Sequence, residues 1–129
     1  ETRDTIPELL PIIAEHPDVD AVIYLGLGIQ SNTGAMEKAG PYYPDHGLER
    51  IVDYHERQDT RFAEAAAVAS DASGKPVVSF TELAMTNPEN AGPATVRATG
   101  RFCHSAGDEA VQALEHLWRY ARFRADRLS

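Results

Sequence analysis

Cysteine is nearly absent. Cys103 is the single one in 129 residues, which rules out an internal disulfide and a cysteine-rich metal site and fits a reducing cytoplasm. Positive charge is also scarce: 12 Lys and Arg face 20 Asp and Glu, for a net charge of -8. Nucleic acid is therefore not an expected partner, because phosphate neutralisation needs a basic surface. The local exception is Arg119, Arg122, Arg124 and Arg127, which reads as a solvated helix face or a contact to another domain. No apolar run approaches the roughly 20 residues that span a bilayer, and no signal-peptide pattern opens the chain. No membrane association is expected. The histidines show no HxxxH or HxH spacing, so no metal site is expected, and there is no GxSxG elbow and no complete phosphate-loop lysine motif. Repeats and low-complexity segments are lacking too.

What is present centres on Val19 to Gly34, VDAVIYLGLGIQSNTG. The run Val22 to Leu25 has the apolar character of a central parallel strand covered on both faces. It stops abruptly at Gly26 and Gly28, which permit close backbone approach, and Ser31, Asn32 and Thr33 follow as side-chain donors or a helix cap. Such a loop reads either as a backbone-rich binding site or as a tight strand-to-helix turn without ligand.

The length suits one domain with a modest core. Asp4 to His16 predicts a short amphipathic helix with its stripe on Ile6, Leu9, Leu10 and Ile13, Thr5 as cap, and a kink or restart at Pro11. After the glycine loop, Ala35 to Lys38 reads as a brief helix, and PYYPDHG (residues 41–47) as a turn-rich insertion whose Tyr42 and Tyr43 pack on the domain. A long helix is expected from Leu48 to Ser70, with Leu48, Ile51, Val52, Phe62, Ala66 and Ala69 on its stripe and a satisfied His55–Asp59 pair one turn apart. Val77 to Phe80 is the second strand. A loop from Thr81 leads to a helix from Asn90 to Ala98, with Pro93 in its first turn. Arg101 to His104 is a third strand. A final helix carries Ala110, Val111, Leu114, Leu117, Trp118, Ala121 and Leu128 as a core stripe. Alternation of this kind predicts right-handed crossovers and a parallel sheet with helices on both faces. Three strands are few for that class.

Ligands of such sheets gather at the carboxyl ends of strands. Here those ends are Gly26 to Asn32, Thr81 to Asn90 and Ser105 to Asp108. The first two are rich in backbone amides and neutral hydrogen-bonding side chains, which suits an anion such as phosphate. Gly26, Gly28, Gln30, Ser31 and Asn32 are the candidate phosphate-binding residues. No catalytic residue is assigned. Cys103 reads as a buried thiol with His104 on the opposite face of the sheet, and Glu82 is a weak candidate for a general base.

Three stretches carry a resemblance. Ile12 to Tyr24, IIAEHPDVDAVIY, then Gly74 to Val78, GKPVV, then Asp108 to Tyr120, DEAVQALEHLWRY, resemble in order and spacing the last domain of NDP-forming acyl-CoA synthetases, including ADP-forming acetate–CoA ligases. These proteins are related to succinyl-CoA synthetase. The likeness covers nearly the whole chain. It implies a three-layer α/β/α flavodoxin-like parallel sheet, incomplete over this stretch, within a ligase that interconverts acyl-CoA, NDP and phosphate with acid, CoA and NTP through a phosphohistidine. It implies CoA, ATP or ADP, and Mg as cofactors of the parent protein, none of them expected to be bound by this chain. The implied partners are CoA-binding, phosphohistidine and ATP-grasp domains or subunits of the same ligase, with a homo-oligomer as a further possibility. The family's Ser-His-Thr-Gly motif has no match here, and the Gly-Gly loop expected on the first strand is absent. The stretches LGLGIQSNTG and MEKAGPYYPDHG are longer than the family's loops. The expected role is therefore an accessory one at an interdomain phosphate site. The alternative is a catalytically silent interaction domain.

Overall fold

The computed structural model describes residues 5–128, so the expected helix start at Asp4 lies outside the described residues. The elements are α1 (Thr5–Glu15), β1 (Val22–Leu25), α2 (Ile29–Lys38), α3 (Leu48–Ser73), β2 (Val77–Phe80), α4 (Leu83–Thr86), α5 (Ala91–Ala98), β3 (Cys103–His104) and α6 (Gly107–Leu128). α1 is one helix with Pro11 inside it rather than two. The strands form a parallel sheet in the order β1-β2-β3, with Val22 opposite Val77 and Ser79 opposite Cys103.

That order decides the layering. A chain that steps always in the same direction through right-handed crossovers leaves its connecting helices on one face. α3 accordingly packs against α1, α2 and α5. Leu10 and Ala14 of α1 meet Ala66 and Ala69 of α3 over Val77. Beside them Leu27, Phe62, Ala63 and Val96 form a second cluster, against which Tyr24 and Cys103 pack. The strand pleat sends the alternate residues, Val78 and His104, to the other face, where they line a cavity of about 510 Å³ with Ala113, His116 and Leu117 of α6.

Five expectations are corrected. β1 is an edge strand and not a central one, because β2 takes the middle of the sheet, and Leu25 is 60% exposed. α2 begins at Ile29 instead of Ala35, so Gln30 to Thr33 belong to its first turns rather than to a loop. α3 continues to Ser73, where Gly74 at φ 69° closes it by donating its N–H to the Ser70 carbonyl. The apolar stripe of α6 is not a core stripe. Only Ala110 is buried, while Val111, Leu117, Trp118 and Leu128 are half or more exposed. Lengths explain this: a strand of 4 residues spans about 13 Å, whereas a helix of 22 residues spans about 33 Å. α6 runs off the edge of the sheet, and every residue from Glu115 to Leu128 is exposed. Tyr42, expected to pack, is 64% exposed.

Candidate functional site

The β1–α2 loop is built by two positive-φ glycines, Gly26 at 77° and Gly28 at 99°. Gly28 stands at the N-cap of α2, and no side chain at that position caps the helix. The capping comes instead from α3. Asp59, 1% exposed, accepts the Gly28 N–H at 3.1 Å and the Ser31 N–H at 2.5 Å. A buried carboxylate thus sits on the positive end of the α2 dipole, held by charge-assisted bonds. His55, one turn earlier on α3, bonds through Nδ1 to Gln30 Oε1 at 2.7 Å. The expected His55–Asp59 pair is therefore not a mutual one: both side chains turn to the β1–α2 segment, each to its own partner.

α5 closes the loop from the far side. Asn90 caps α5 by accepting the Gly92 N–H at 2.9 Å and donates Nδ2–H to the Gly28 carbonyl at 3.0 Å. The approach is tight enough to require Gly92, where a Cβ would lie 2.8 Å from the Gly28 nitrogen and 2.9 Å from Leu27 Cγ. Tyr24, at the start of the same clasp, has its phenol pushed up to about 12, first by burial and then by the Asp59 carboxylate.

The five candidate residues are thereby divided. Gly28 and Ser31 face Asp59, and Gln30 faces His55. Gly26 and Asn32 line an open cleft of about 310 Å³ at the carboxyl ends of β1 and β2, together with Ile29, Phe80, Thr81, Glu82 and Leu83. Helix geometry leaves the N–H groups of Ile29 and Gln30 without intrahelical acceptors. The Ser31 hydroxyl is buried with no hydrogen-bond partner. The third strand end, Ser105 to Asp108, contributes no lining residue to this cleft and leads into α6, where Ser105 bonds Glu109.

The chemistry on offer is binding. Cys103 packs toward the inner cluster and its thiol is pushed up by burial, against the opposing pull of the Arg97 cation, so it is a poor nucleophile. His104 faces the α6 cavity on the other side of the sheet. Glu82 lines the cleft at an exposed position. Among the described residues no group of three or more His, Cys, Asp or Glu side chains converges on a point where a metal would bind.

No protein-family model, no curated protein and no solved structure matches the chain. Sequence reasoning missed Asp59 as the α2 cap and Gly92 as the site of close approach, and it placed Asn90 at the start of its helix without the bond to the Gly28 carbonyl. Each left a signal. Asp59 is an acid placed within the apolar stripe of α3, and Asn90-Ala-Gly92 is a capping residue followed by a site of close approach.

Proposed function

We propose that the chain is a flavodoxin-like domain of an NDP-forming acyl-CoA synthetase, not catalytic alone, which docks against the CoA-binding, phosphohistidine and ATP-grasp modules. Its β1–α2 cleft borders their shared phosphate site. The observation that supports this best is the strand order combined with the siding of the helices. Flavodoxin-like sheets run 2-1-3-4-5. Three consecutive parallel strands with their connecting helices on one face, followed by a last helix on the other, are what strands 3-4-5 of that order would look like on this reading. β1 then takes the position that pairs with the first strand, and here its outer edge is open beside an exposed Leu25. An open edge of this kind invites a strand from another unit. The cleft adds a chemical reason, since it joins the first turn of α2 to the positive-φ backbone at Gly26.

A second reading, a catalytically silent interaction domain, is favoured by a different observation. Asp59 already supplies an anion to the Gly28 and Ser31 amides, leaving only the Ile29 and Gln30 side of the helix terminus for a ligand.

Complementation separates the two. An NDP-forming acyl-CoA synthetase stripped of its corresponding domain is mixed with this protein, acyl-CoA, ADP, Mg and phosphate. The ligase reading predicts that ATP formation returns. Under conditions where the ligase's own domain restores turnover, no response to this chain leaves the silent reading in place.

A further inference from the structure

The overhanging part of α6 has an organisation that the sheet does not explain. Val111, Leu114, Trp118, Ala121, Ala125 and Leu128 recur at alternating spacings of three and four residues, which is the seam pattern of a two-stranded coiled coil. Val111 is 56% exposed, Trp118 59% and Leu128 80%. From Glu115 onward every residue is exposed, and Tyr120 is the last that lines a cavity against the sheet; the turns beyond it form a segment too short to be more than barely stable in water.

We propose that this seam binds the same seam of a second copy of the chain, with the two α6 helices antiparallel about a twofold axis near Arg119 and Tyr120. In that register Val111 faces Leu128 of the other copy, Leu114 faces Ala125, and Trp118 faces Ala121. The four central layers each pair a large side chain with a small one, so one surface complements itself, as an isologous contact requires. The flanking charges agree. On the solvent side of the seam Glu115 meets Arg122 of the second copy, twice by symmetry. On the sheet side, Arg124 of the second copy approaches Asp20, which lines a cleft of about 440 Å³ beside Leu114 and Trp118.

Long-range charge points to the same occupant. Residues 116–128 hold four Arg against Asp126, net +3, which leaves −11 on the remainder of a chain whose total is −8. A basic arm on an acidic body is drawn to the body of its own twin. The two bodies lie at opposite ends of the helix pair, because each arm overhangs its own sheet. The inference does not depend on the ligase reading.

Sedimentation velocity of the full chain tests it. The expected mass is twice 14.1 kDa, with a dissociation constant that rises with salt. Ala121→Glu, at an exposed position, yields a folded monomer whose circular dichroism spectrum loses no more helix than the overhanging turns of α6. Glu115→Arg and Arg122→Glu each weaken the dimer about tenfold, and the double variant restores it. A monomer at about 100 µM protein, a dimer that survives Ala121→Glu, or a double variant no tighter than the singles overturns the proposal.

Discussion

Removing the Asp59 carboxylate is the sharpest perturbation of the clasp around the β1–α2 loop. Asp59→Ala leaves the Gly28 and Ser31 N–H groups, now bonded at 3.1 and 2.5 Å, without acceptors. Charge-assisted hydrogen bonds contribute about 1.5–3 kcal/mol each, and a favourable interaction with the α2 dipole adds up to about 1 kcal/mol. Against this, the variant no longer desolvates a carboxylate that is 1% exposed. The net expected loss is about 3 kcal/mol, a fall in melting temperature of about 12 °C for a domain of this size. Urea unfolding measures the free energy, with the m-value unchanged if only the native state is affected. The deletion also creates a vacant anion site. Formate at about ten times its dissociation constant should return about 1.4 kcal/mol to Asp59→Ala and nothing to the unaltered protein. A variant within about 0.5 kcal/mol of the parent, an ordinary value for surface substitutions, would refute the capping role.

Three further outcomes follow from the same clasp. Gly92→Ala puts a Cβ 2.8 Å from the Gly28 nitrogen, so it should cost about 2 kcal/mol through overpacking and shift the Gly28 amide resonance; a neutral effect by urea unfolding counts against the close approach. Asn90→Ala removes both the α5 cap and the donor to the Gly28 carbonyl, and should cost about 2 kcal/mol by the same measurement. Tyr24 favours its neutral form in the folded state, with its pKa raised from 10.0 to about 12. Its contribution to stability is therefore complete below pH 10 and is lost as pH rises from 10 through about 12. Tyr24→Phe should flatten the alkaline loss in that window, and identical slopes for the two proteins would contradict the assignment.

Elements with strong local signals were legible in the sequence. Val22 to Leu25 and Val77 to Phe80 are strands with the bounds their apolar runs suggest. The N-terminus of α2 was not legible, because its cap comes from Asp59, 31 residues from Gly28. A motif search expects a cap beside the helix it serves, and here Ser31, Asn32 and Thr33 were better local candidates than the distant acid. The place of β1 in the sheet was hidden for another reason. A short apolar run reads alike at the centre of a sheet or at an edge awaiting a partner. Periodicity likewise showed that α6 has an apolar stripe but not that the sheet is too short to cover it. Among the candidate phosphate residues, spacing grouped five, while the fold turns Gly26 and Asn32 to the cleft and the other three inward to α3.

The central claim, that the β1–α2 loop lends an open anion-binding edge to a shared site, is tested most directly by titrating the protein with inorganic phosphate and following its backbone amide resonances. Saturable shifts are expected at Gly26, Ile29, Gln30 and Asn32, with Gly28 and Ser31 nearly unmoved behind Asp59. Shifts confined to the arginines of α6, or none at concentrations of several millimolar, would contradict it.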